Sequence, residues 1–160
     1  MTTLRKRTTT TATRSALRVM CEQLDGLSTL EGTVSALLQD NPVAHLSRDG
    51  DQITIKPTGP GFAMSVMPLY GRIIITCGAY DDDLVAWADA ERIITAALAG
   101  DLRLVSVYAN EKPFRFAIEQ RSGDSWAVIG EKTFVRWSFF KPRTTVRYDT
   151  YQPALKPSHC

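Results

Sequence analysis

A chain of 160 residues with a net charge of +2, 44% hydrophobic and 22% charged, has the size and make-up of one ordinary globular domain. It contains no apolar run near the roughly 18 residues that a membrane-crossing helix needs, so no membrane role is expected. Cys21, Cys77 and Cys160 are odd in number, widely spaced and without a CxxC pair. They frame neither a disulfide scaffold nor a zinc site, and a reducing cytoplasm suits them.

The charge is unevenly distributed. Residues 1–20 hold five bases and no acid, residues 21–100 eleven acids against four bases, and residues 101–160 ten bases against six acids. A chain basic at both ends and acidic in the middle either serves a partner or lets parts of one molecule attract each other. The N-terminus, MTTLRKRTTTTATR, is followed by no apolar segment and has little to bury, so residues 1–11 are expected to be a disordered basic arm.

From Ala12, the apolar residues Ala16, Leu17, Met20, Cys21 and Leu24 recur at three- and four-residue spacing, which predicts a helix over about 12–25 with Gly26 as its stop. Ser28 and Glu31 have the spacing of a capping box and predict a second helix to about Gln39. After Asn41-Pro42 the pattern turns to strands. Asp49-Gly50 between VAHLSR and DQITIK predicts a hairpin, and GFAMSVM and GRIIITCG add two strands around a turn containing Pro68.

Asp81, Asp82 and Asp83 read as the acidic first turn of a long helix of about eighteen residues, with Leu84, Trp87, Ala90, Ile94, Ala97 and Leu98 on one face and Gly100 beyond its end. LRLVSVYA, FRFAIEQR, SWAVI, KTFVRWSFF and TTVRYDT then alternate between short turns, which predicts a five-strand antiparallel meander. The fold class is α+β: an antiparallel sheet of about four strands, then the meander, covered by two N-terminal helices and one long central helix. A single domain over 12–151 and a loose C-terminal tail over 152–160 complete the layout.

Chemistry-bearing motifs are few. The triple aspartate lacks the DxDxDG spacing of a calcium loop, and capping explains it better than a hard cation. His45 and His159 are the only histidines and stand in no metal-ligand spacing. Ser65 lacks the glycines of a nucleophile elbow, and TGPG at 58–61 lacks the Lys-Ser/Thr of a phosphate loop. No cofactor is implied, and an enzyme is the less favoured reading.

The stretch FVRWSFFKPRTTVRYDTY, residues 134–151, mixes aromatic and basic residues. Strand alternation puts Val135, Trp137 and Phe139, with Thr144, Val146 and Tyr148, on one face read as core. Phe134, Arg136, Phe140, Arg143, Arg147 and Tyr151 share the other, which is the candidate interaction surface. The function expected is a small non-enzymatic module that binds a macromolecular partner, a protein first, through a sheet face or edge. One alternative is nucleic-acid binding by the basic arm and this face. The other is a small-molecule site or enzyme using dispersed residues such as His45, Asp82, Arg115 and Glu119 between sheet and helices. An uncovered edge of the meander also offers a homodimer by strand pairing.

Overall fold

The computed structural model describes residues 8–84, 86–109, 111–134 and 144–152, with side chains from residue 18 onward. The two helices expected before residue 40 are one, α1, spanning Thr8–Asp40. Gly26 does not end it, because that glycine is where another helix crosses. A Cβ at residue 26 would sit inside the indole of Trp87. The capping-box residues also serve a tertiary purpose: Arg48 donates to Glu31 at 2.7 Å and to Ser28 at 3.4 Å, fastening the helix to the strand beside it. Leu27, Leu30 and Val34 form the buried stripe of α1.

Five strands follow, one more than expected: β1 (Ala44–Asp49), β2 (Gln52–Pro57), β3 (Met64–Leu69), β4 (Arg72–Cys77) and β5 (Tyr80–Leu84). They form an antiparallel sheet in chain order. The β1–β2 hairpin is present, with Gly50 at a φ of 56° in its turn. Pro68 lies within β3 opposite Ile73, and the β3–β4 turn is Tyr70-Gly71, both at positive φ as tight hairpins require.

The extra strand is the aspartate run. Asp81, Asp82 and Asp83 pair with Thr76, Ile75 and Ile74, so they do not open a helix. Each has a partner: Lys132 for Asp81, the Tyr80 hydroxyl for Asp82 and Arg72 for Asp83. Helix α2 begins only at Trp87 and ends at Leu98, twelve residues instead of about eighteen. Its end is as expected, with the Gly100 N–H bonded to the Ala97 carbonyl at 2.9 Å and Gly100 at a φ of 80°.

The second sheet holds β6 (Leu102–Ala109), β7 (Lys112–Ser122), β8 (Ser125–Thr133) and β9 (Thr144–Thr150). Its order is β8-β7-β6-β9, so β9 returns to pair with β6 where a simple meander would put it beside β8. In β8 the pairing steps from Ile118↔Gly130 to Glu119↔Val128, which leaves Ile129 as a bulge. The class is α+β as expected, with two antiparallel sheets and two helices among the described residues.

One hydrophobic core joins all four layers. It takes Leu27 and Val34 from α1, Ile53, Ile55, Val66 and Ile75 from the first sheet, Ile94 and Leu98 from α2, and Leu102, Leu104, Phe116 and Ile118 from the second. Each sheet therefore turns one face inward, and the other is free to differ. No helix among the described residues is long and apolar enough to cross a membrane.

Candidate interaction face

The register of the second sheet fixes what its outer face carries. Arg103, Val105 and Val107 of β6 stand opposite Glu119, Ala117 and Arg115 of β7, and opposite Thr150, Tyr148 and Val146 of β9. Directly opposed residues share a face, so these form one surface, to which β8 adds Trp126, Val128 and Glu131 opposite Arg121, Glu119 and Ala117. Val105, Val107 and Ala117 are buried there under their neighbours and form a small cluster of their own, with Phe114 packed on it.

Above that cluster lies a ladder of rings and guanidinium groups. Arg103 sits 4.3 Å from the Trp126 ring centroid and 4.6 Å from that of Tyr148, and Arg121 lies 5.1 Å from Trp126. These are cation–π distances, and Trp126, with both arginines against it, is half-buried. Tyr148 is 56% exposed, Val128 49% and Val146 46%.

Each of the three described arginines on this surface has a carboxylate. Arg103 meets Glu119 at 2.6 Å, Arg115 meets Glu131 at 2.8 Å and Arg121 meets Asp101 at 3.4 Å. The hydrogen bond from Arg115, joined by one from Thr133, holds the Glu131 carboxyl below its usual range, and the same bond raises the Arg115 pKa. The face is thus aromatic and polar but close to neutral.

Of the residues expected on the interaction surface, Tyr151 is buried, whereas Phe134, 46% exposed, and Arg147, also exposed, lie at the margin of the side that faces the core. Tyr151 is 1% exposed and donates its hydroxyl to the Phe62 carbonyl. Phe134 makes an edge-to-face contact with the core residue Phe116, at 6.0 Å between centroids. Arg147 points the same way at the sheet margin, exposed and paired with Asp149 at 3.0 Å. Val146 and Tyr148, expected inside, are the exposed pair. The physical reason is the β6 register: Leu104, a core residue, stands opposite Asp149, so Asp149, Arg147 and Tyr151 share its side. Arg136, Phe140 and Arg143 lie outside the described residues.

The residues of the dispersed-site alternative are not brought together. His45 is exposed on β1, Asp82 faces inward on β5, and Arg115 and Glu119 lie on the outer face of the other sheet. Asp82 does border a small cleft of about 100 Å³ with Tyr80, Asp89, Arg92 and Cys77. Burial first, and the nearby Asp82 charge second, push the Cys77 thiol and the Tyr80 phenol up to about 12, so both stay protonated at neutral pH. A second, more open cleft of about 510 Å³ runs between Gly59-Pro60-Gly61 and the end of β9. Among the described residues no group of three or more His, Cys, Asp or Glu is placed to hold a metal ion.

Sequence reasoning missed Trp126, Arg103 and Tyr148 as members of one site. The signal was present as alternation in three separate strands, and only the β8-β7-β6-β9 order brings them side by side. An α+β chain with a neutral, aromatic outer sheet face is the class these features define. No protein-family model, no curated protein and no solved structure matches it.

Proposed function

We propose that this chain is a non-enzymatic interaction module that holds a protein partner on the outer face of its second sheet. The observation that carries this reading is the ladder Tyr148–Arg103–Trp126–Arg121, with Val128 and Val146 exposed beside it. Tyrosine, tryptophan and arginine dominate the energetics of protein interfaces, because they bury large area and still satisfy polar groups. Pre-paired arginines favour a protein over a nucleic acid. Phosphate binding draws on unneutralised cations, and here Glu119, Glu131 and Asp101 already occupy them. Free Cys21 and Cys77 accord with a cytoplasmic setting for the encounter.

Capture of partners from the native host tests the reading, with the unchanged chain and Trp126→Ala used side by side and Arg72→Ala on the other sheet as control. The expected result is a protein retained by the unchanged chain and by the control but lost with Trp126→Ala. Identical captures by all three would contradict it. Oligonucleotide binding that falls steeply with salt, and is removed by Trp126→Ala, would replace the protein reading with the nucleic-acid one.

A further inference from the structure

Among the described residues the two sheets present four edge strands, β1 and β5 in the first and β8 and β9 in the second. A regular exposed edge offers unpaired N–H and C=O groups to any other strand, and folded chains blunt such edges with charges, bulges or cover. Three of these are blunted. β1 is braced to α1 through Arg48, Ser28 and Glu31. β5 carries three consecutive aspartates, and β8 carries the Ile129 bulge and is tied to Asp81 through Lys132.

Among the described residues β9 has neither a bulge nor a run of like charges, and its two charges, Arg147 and Asp149, are of opposite sign. Its pairing with β6 runs from Thr144 to Thr150 without a register shift, and its sequence, TTVRYDT, contains no proline. We propose that β9 pairs antiparallel with β9 of a second copy of this chain, across a two-fold axis at Tyr148, so that the two outer faces become one continuous surface. This goes beyond the partner-binding reading and does not rest on it.

The charges choose both the occupant and the register. A two-fold axis relating antiparallel strands in one sheet stands perpendicular to it and passes midway between the two copies of one residue, because only then do opposed side chains share a face. Centred on Arg147 or on Asp149, the pairing sets like charges against each other, which destabilises a sheet. Centred on Tyr148, it sets Arg147 opposite Asp149 of the second copy, Asp149 opposite the Arg147 of that copy, and Val146 opposite Thr150. Arg147 and Asp149 lie on one side of β9 and are already paired at 3.0 Å within one copy. In the dimer the same two groups exchange partners across the axis. The two Tyr148 rings then adjoin on the outer face, each beside its own Arg103.

Sedimentation equilibrium of the purified full chain, under reducing conditions to prevent disulfides through exposed Cys21, tests this without any partner present. The expected result is a monomer–dimer equilibrium that Arg147→Asp alone and Asp149→Arg alone each weaken by about tenfold or more. An equimolar mixture of those two variants should restore the dimer, as should the double variant, since every opposed pair is again oppositely charged. Circular dichroism of each variant reports whether it folds. Monomer alone up to about 1 mM, a dimer indifferent to the single changes, or no rescue in the mixture overturns the proposal. Because the readout needs only the purified chain, it can fail while partner capture through Trp126 stands, and the reverse.

Discussion

Both sheets lend one face to a shared core, and they differ in what they do with the other. The outer face of the first carries Thr54, Ser65 and Thr76 in a row across it, with the aliphatic side chains of Met67, Ile74 and Leu69 beside them and Arg72 and Asp83 at the margin. The outer face of the second carries Trp126, Tyr148 and three arginines over a buried valine cluster. The rings held against guanidinium groups on one outer face, and the absence of such pairs from the described residues of the other, are what the proposed partner-binding reading rests on.

The inner side is the place to break the fold, and alkali should do so most severely. Cys77 rises from 9.0 to about 12, Tyr80 from 10.0 to about 12, and Tyr151 is raised as well, each chiefly by burial. Groups with raised folded pKa values contribute stability that is complete below their unfolded values and is lost as pH rises toward the folded ones. Thermal midpoints should therefore hold to about pH 9 and then decline, for a loss on the order of a few kcal/mol by pH 11. Tyr80→Phe should make the decline shallower. A flat profile from pH 8 to 11 would show that these groups are not buried as described.

Gly26 gives a smaller effect whose sign is informative. Alanine at an exposed helix position would add about 1 kcal/mol of stability. Here its Cβ would enter the Trp87 indole, so Gly26→Ala should destabilise by about 1–3 kcal/mol in chemical denaturation. Partner capture at temperatures where the variant is folded should be unchanged, since the outer face is untouched.

Two exposed tyrosines, one in each sheet, sharpen the comparison further. Tyr70 is 97% exposed at the tip of the β3–β4 hairpin with a φ of 48°, a conformation that asparagine adopts more readily. Tyr70→Asn should raise stability by up to about 1 kcal/mol and leave partner capture intact. Tyr148→Asn should leave stability nearly unchanged and weaken capture. Equal effects of the two on capture would erase the distinction between the sheets.

Much of the architecture was legible in the residues. The Asp49-Gly50 hairpin, the alternation of β6, β7 and β9 and the Gly100 stop all speak through local periodicity and turn chemistry, whereas Gly130-Glu131, expected to be a turn, lies inside β8. What misled was local grammar used for tertiary ends. Gly26 reads as a helix stop but clears the way for Trp87, Ser28 and Glu31 read as a cap but bind Arg48, and the three aspartates read as a first turn but pair with Arg72 and the Tyr80 hydroxyl within the first sheet and with Lys132 of the second. The candidate site shows the same limit. Alternation establishes which residues of β9 share a face but not which face is inside, and a strand with Val146 and Tyr148 on one side and Arg147 and Asp149 on the other invites the wrong choice. The pairing of Leu104 with Asp149 decides it, and that pairing spans more of the chain than any local pattern.

The central claim, that the outer face serves a partner and not the fold, is tested most directly by measuring melting and capture on one variant. Trp126→Ala removes a ring whose contacts are cation–π pairs worth about 1 kcal/mol, so its unfolding midpoint should stay close to that of the unchanged chain while capture of the partner protein is lost. A variant that melts far earlier yet, when folded, still holds the same partner would contradict the claim, and would return Trp126 to the ordinary business of stabilising a sheet.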